Sequence, residues 1–243
     1  MANIVCIHGW GLNAAIWSEL SARLSRRHTL HTPDLPGHGA STEELPDRLE
    51  PLVQMLASDV PDRSAWIGWS FGGQIALAAA LMLPHKVERL LLISTTPRFL
   101  NGTDWLHGVE MERWSGFASE LVADYDRTLG RFLALQCGIG ELRAARALRK
   151  MLLARGNPRA GSLSAALRVM ADTDLRPRVK EIRVPALVVH GERDRIIPVA
   201  AGCWLASHLP DAKLMLLPDA GHAPFITRDM LFGAAAERFL DRS

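Results

Sequence analysis

Five or six short apolar runs stand out along the chain, at residues 4–7, 29–32, 65–69, 90–93, 186–190 and 214–217. Each has the length and continuity of a strand buried on both faces. Between most of them the apolar spacing turns helical: Ile16, Leu20 and Leu24 share one helix face, and so do Leu49, Val53, Leu56 and Ala57. Strands alternating with helices predict an α/β fold, a mostly parallel sheet of about six strands flanked by helices. Such sheets bind their ligands beyond the carboxyl ends of the strands. The candidate chemistry gathers there: His8-Gly9-Trp10-Gly11, Asp34, Ser70, Asp194 and His222.

The alternation stops between about residues 97 and 184. That interval holds no good strand but three helical stretches, at 116–135, 141–154 and 162–171. An all-helical insertion between two strands reads as a cap over the site. The expected organisation is one globular unit, with a core of residues 1–96 and 184–243 and a cap of residues 97–183. A chain of 243 residues fits a single α/β domain.

Composition narrows the function classes. No apolar run approaches the ~20 residues of a bilayer-crossing helix, and no secretory signal pattern opens the chain. Three scattered cysteines, Cys6, Cys137 and Cys203, read as free thiols of a cytoplasmic protein. No zinc spacing, H-E-x-x-H helix, Walker loop or dinucleotide fingerprint is present, so neither metal nor cofactor is expected. A monomer is expected, without membrane or nucleic-acid partners.

The sharpest motif is Gly68-Trp69-Ser70-Phe71-Gly72, followed by Gly73. An apolar run precedes it and an alanine-rich helical segment follows, which is the setting of a nucleophile elbow. Serine needs a neighbouring base. His222 follows the last apolar run, and Asp194 follows the one before it, in the Ser…Asp…His order of an α/β-hydrolase triad. Glu192 is the rival acid, while Asp172 and Asp174 lie in the cap. Asp194 is preferred because it stands past the strand end, where a loop can turn back to His222. The backbone N–H groups of Trp10 and Phe71 are the expected oxyanion donors. His8 reads as a structural histidine of its loop, and Trp10 and Trp69 as walls of an apolar acyl pocket.

Charge adds one feature. The chain carries a net charge of only +2, yet residues 127–159 hold Arg127, Arg131, Arg143, Arg146, Arg149, Lys150, Arg155 and Arg159 against the single acid Glu141. A solvated helical surface is the ordinary reading of such a run, but one-signed crowding suggests steering of an acidic partner, an acidic protein or a phosphate-bearing substrate.

Six segments give the chain its resemblance to the α/β-hydrolase carboxylesterases of biotin synthesis that act on pimeloyl-acyl-carrier-protein methyl ester. They are His8-Gly9-Trp10-Gly11-Leu12-Asn13-Ala14, Asp34-Leu35-Pro36-Gly37-His38-Gly39, the elbow with Gly73, Arg131-Phe132-Leu133-Ala134-Leu135-Gln136, Thr173-Asp174-Leu175-Arg176 and Ala220-Gly221-His222-Ala223-Pro224-Phe225-Ile226. The first three mark only the superfamily; Arg-Phe-Leu-Ala-Leu-Gln is more particular. The resemblance implies a Ser70, Asp194 and His222 triad with Trp10 and Phe71 at the oxyanion. It implies substrate contacts from Trp10, Ser70, Phe71, Phe132, Leu133, Ala134, Leu135, Gln136 and His222. Arg127, Arg131, Arg143 and Arg146 would meet the acidic carrier protein and the phosphate of its arm. Two departures stand out: the chain lacks two strands that many members place before the first apolar run, leaving its first sheet edge open, and Phe71 replaces an expected leucine. A small-molecule carboxylesterase, a lactonase or a C–C bond hydrolase is the alternative, and an inactive binding protein is a third reading.

Overall fold

The computed structural model describes residues 1–137 and 141–241. Its six strands are β1 (Asn3–Ile7), β2 (Thr29–His31), β3 (Ser64–Trp69), β4 (Val87–Ile93), β5 (Ala186–Gly191) and β6 (Ala212–Leu217). They form one sheet in the order β2-β1-β3-β4-β5-β6, and every neighbouring pair is parallel. β3 and β5 are buried at every position, as strands covered by helices on both faces must be. The edge strands are β2 and β6, and β1 lies inside, hydrogen-bonded on both sides. The chain runs outward from β1 to β2 and then returns across β1 to β3. That reversal opens a crevice at the carboxyl ends of β1 and β3, the ends that carry the His8–Gly11 loop and Ser70.

The core helices are α1 (Ser18–Leu24), α2 (Leu49–Ala57) and α3 (Phe71–Met82). The apolar positions Leu20 and Leu24 lie on α1, whereas Ile16 falls in a preceding 3-10 turn, Ala14–Trp17, capped by Asn13. α3 is buried from Phe71 to Ala80; its alanines let it lie close against the sheet.

Among the described residues, four α-helices and a 3-10 helix (Arg176–Glu181) separate β4 from β5: the α-helices are α4 (Met111–Ala123), α5 (Tyr125–Leu135), α6 (Leu142–Ala154) and α7 (Ala160–Asp172). The single stretch expected over residues 116–135 is two helices. The break is Asp124, at φ −149° and ψ 87°, whose carboxylate accepts the Arg127 N–H at 3.2 Å. An aspartate bonded to its own downstream backbone starts a new helix rather than continuing the old one. After β5 come α8 (Val199–His208), α9 (Pro224–Thr227) and α10 (Asp229–Leu240). No helix among the described residues is long and apolar enough to cross a membrane.

The insertion is tied to the β1 loop by directed bonds. Trp10 Nε1–H donates to the Leu163 carbonyl at 2.9 Å, and the Asn13 amide donates to the Leu152 carbonyl at 2.9 Å. Asp34 is the hub. Its Oδ1 accepts the Ala14 N–H at 2.7 Å, and its Oδ2 accepts the Ala40 N–H at 2.8 Å and the Arg155 guanidinium at 2.8 and 3.0 Å. Asp34 is thus engaged in holding loops and insertion together rather than in chemistry. Burial pushes its carboxyl up, but the two N–H donors and Arg155 outweigh that and leave it below its ordinary value.

A group whose pKa falls on folding adds stability above its unfolded pKa, about 3.9 for aspartate, and loses it as the pH drops through the folded value. Asp34→Asn is therefore expected to cost about 1–3 kcal/mol at pH 7, and less as the pH falls below about 4. Urea unfolding of both proteins at pH 7 and pH 3 checks this; an equal deficit at both values contradicts it.

Candidate active site

Ser70 joins β3 to α3 with φ 55° and ψ −118°. This left-handed conformation costs a serine about 1–3 kcal/mol, and its own backbone bonds hold it there. The Ser70 N–H donates to the Ile93 carbonyl at 2.9 Å. Its carbonyl accepts from Thr95 Oγ1–H at 2.7 Å and from the Gly73 N–H at 2.9 Å. The flanking glycines are required by contact. A Cβ on Gly72 would strike the Ile7 carbonyl of β1, and one on Gly68 would strike the Gly72 carbonyl. Phe71 opens α3, so its N–H faces no intrahelical carbonyl.

Asp194 and His222 come together across the ends of β5 and β6. His222 Nδ1 lies 2.7 Å from Asp194 Oδ2, and both side chains are wholly buried. A carboxylate only accepts, so Nδ1 carries the hydrogen and Nε2 of the neutral ring is the free acceptor. Nε2 is buried with no hydrogen-bond partner among the described residues; such a contact commonly closes only when substrate is bound. Burial pushes the Asp194 carboxyl up, yet His222, His190 and their hydrogen bonds more than offset it and hold it well below the usual carboxylate range. The rival Glu192 points to solvent. Asp174 is engaged with Arg176 at 2.6 Å and Arg98 at 3.5 Å, and Asp172 is exposed.

Trp69 takes a different position from the one expected. Its indole N–H donates to the His222 carbonyl at 2.8 Å, and its ring lies 5.5 Å from the imidazole. The ring also packs edge-on against Phe225 at 5.1 Å and is not part of the cleft wall over Ser70. It supports the histidine loop instead.

A narrow cleft opens over Ser70 between core and insertion, walled by Trp10, Phe99, Trp114, Phe117, Phe132 and Leu135 among others. Trp10 meets Phe132 edge-on at 4.9 Å. Of the substrate contacts expected from sequence, Trp10, Ser70, Phe132 and Leu135 line this cleft. The side chains of Phe71, Leu133, Ala134, Gln136 and His222 are not part of its wall. Leu133 packs into the core and Ala134 is exposed, because 3.6 residues per turn cannot aim five consecutive side chains at one wall. Phe71 is buried, so it offers the site its backbone alone.

His8 is a loop residue. Its Nδ1–H donates to the Gly9 carbonyl at 2.8 Å, and Nε2 accepts the Leu35 N–H at 2.9 Å. Burial, with a smaller push from His38, lowers its pKa to about 3, so it stays uncharged near neutrality. Residues that the sequence did not reveal are Thr95, which holds the elbow carbonyl, and His190, 3.1 Å from Asp194 Oδ2.

In the basic stretch, Arg131 pairs with Glu120 at 2.8 Å, Arg155 with Asp34, and Glu141 with Arg228 of the core at 2.9 Å. Arg127, Arg143 and Arg146 are exposed.

Residues 4–235 match the model of the "Alpha/beta hydrolase family". The chain is 39% identical over 227 residues to a protein of Nitrosomonas europaea named pimeloyl-[acyl-carrier protein] methyl ester esterase, covering 93% of this chain and 90% of that one. It is 40% identical over 242 residues to the protein of the same name from Stenotrophomonas maltophilia, covering 98% and 92%. In structure it matches an esterase from Exiguobacterium antarcticum with a TM-score of 0.91 at 17% identity, covering 100% of this chain and 92% of that one; at that identity the likeness concerns the fold.

Trp69→Phe keeps the ring and removes the donor to the His222 carbonyl. Loss of one neutral hydrogen bond, about 1 kcal/mol, is expected to lower kcat about fivefold with KM unchanged. Steady-state kinetics on p-nitrophenyl acetate checks the split; a rise in KM at constant kcat contradicts it.

Proposed function

The chain belongs to the alpha/beta hydrolase family, among the pimeloyl-[acyl-carrier protein] methyl ester esterases, and from that premise we propose how its residues perform this reaction. It is a serine carboxylesterase that hydrolyses the methyl ester of pimeloyl-[acyl-carrier protein]. The single observation behind the acyl-transfer chemistry is the buried Asp194–His222 pair, with a free Nε2, at the same strand ends as the strained Ser70.

Ser70 Oγ attacks the ester carbonyl while His222 Nε2 takes its proton. The oxyanion is met by the N–H groups of Trp10 and Phe71, each worth about 3 kcal/mol in the transition state. Collapse expels methoxide, which leaves as methanol with the proton from His222. Water then attacks the acyl-enzyme, again with His222 as base, and Ser70 recovers its hydrogen as the pimeloyl carboxylic acid departs. Asp194 keeps His222 in the Nδ1–H form and stabilises the imidazolium.

The insertion works as the cap. The aromatic cleft takes the methylene chain, and the thioester and its arm extend outward to the carrier protein. Arg127, Arg143 and Arg146 are the docking cations, with Arg131 shared between the partner and Glu120. The cytoplasm, where carrier proteins work, is its setting.

Purified protein would be offered pimeloyl-carrier-protein methyl ester and dimethyl pimelate. A kcat/KM for the carrier-bound ester at least about tenfold higher is expected, and Arg127→Glu with Arg146→Glu should remove most of that advantage. Activity on short p-nitrophenyl esters should survive the same changes. Equal rates on both pimelate esters, indifferent to charge reversal, would favour a small-molecule carboxylesterase instead.

A further inference from the structure

The Asp194 carboxylate collects more donors than a histidine–carboxylate pair requires. Oδ1 accepts the N–H groups of Ile196 and Ile197 at 2.8 and 2.9 Å. Oδ2 accepts His222 Nδ1–H at 2.7 Å and lies 3.1 Å from His190 Nε2. His190, at the end of β5, is wholly buried, and the same Nε2 lies 3.1 Å from the Ile197 carbonyl.

Both neighbours of His190 Nε2 are acceptor oxygens, so that nitrogen must carry the hydrogen. Nδ1 has no hydrogen-bond partner among the described residues. It faces Gly202 of α8, where any Cβ would collide with the imidazole. The ring is therefore wedged between α8 and the 194–197 loop, with one N–H directed at the carboxylate.

We infer that His190 is a positioning residue for the acid of the triad: its Nε2–H bridges Asp194 Oδ2 and the Ile197 carbonyl, and so fixes the oxygen that His222 uses. This rests on the serine-esterase reading above. Two backbone donors hold Oδ1; without His190, only the mobile catalytic histidine would define Oδ2. His222 must carry a proton twice per cycle, from Ser70 to the leaving group and then from water to Ser70, and it does so best against a carboxylate that does not turn with it. With four donors the buried charge also needs no water, which keeps the back of the site dry.

The test compares His190→Leu and His190→Gln in the full-length protein, with p-nitrophenyl acetate as substrate. Leucine fills much of the volume without a donor; glutamine restores an N–H near the position of Nε2. Loss of about tenfold in kcat in the Leu variant, with KM unchanged and most of the loss recovered in the Gln variant, is the expected result. Wild-type kcat in the Leu variant overturns the inference, and so does an equal loss in both variants with an equal fall in Tm, the mark of packing alone. If the Leu variant does not fold, ¹⁵N NMR of histidine-labelled wild-type protein decides: His190 should appear as the Nε2–H tautomer, and an Nδ1–H tautomer overturns the inference. Failure of the serine-esterase reading looks different, since then the wild-type protein is not phosphonylated on Ser70 by a fluorophosphonate and Ser70→Ala changes nothing.

Discussion

Ser70 sits in a conformation that a serine adopts only under restraint, and the restraints come from two neighbouring strands and the segment just beyond one of them. Its N–H is held by Ile93 of β4, its carbonyl by Thr95 just beyond β4, and the glycine that follows Phe71 packs on the Ile7 carbonyl of β1. The conformation of Ser70 is therefore set by assembly of the central sheet and not by the five-residue motif alone. The same turn ends β3 at Trp69, whose indole N–H donates to the His222 carbonyl. Ser70 and the support of the His222 loop are therefore placed by adjacent residues.

The second constraint is a buried charge. Asp194 is wholly enclosed and remains a carboxylate only because two backbone N–H groups and two imidazoles surround it. An unpaired carboxylate there would be protonated or hydrated. The insertion contributes differently: its inner side is aromatic and lies over Ser70, while its exposed basic residues face solvent. In the proposed mechanism core residues hold the reacting atoms, and insertion residues meet the rest of the substrate.

Much of the fold was legible because buried parallel strands are continuous apolar runs. All six appear, with ends that differ by a few residues. The sheet edge was not legible, since a three-residue β2 outside β1 leaves no local signature. The Asp124 break was misread because apolar residues continue on both sides of it; the signal available was an aspartate three residues before Arg127, a helix-capping spacing. In the site, the order Ser70, Asp194, His222 pointed to residues that follow the carboxyl ends of β3, β5 and β6, on one side of the sheet. Phe132 to Gln136 could not be sorted by motif matching, because which of them face the cleft depends on helix phase. His190 was hidden for another reason: it ends an apolar run, and nothing in the sequence shows that its ring turns to the carboxylate four residues on.

The most direct measurement is the identity of the covalent intermediate. The protein would be mixed with pimeloyl-carrier-protein methyl ester, quenched in acid within the first turnover, and analysed by intact-mass spectrometry with peptide mapping. The expected species is a conjugate, joined through Ser70, with the mass of enzyme plus substrate less methanol. An enzyme acylated by methyl pimeloyl with the carrier released as its free thiol, or turnover with no adduct on Ser70, would contradict it.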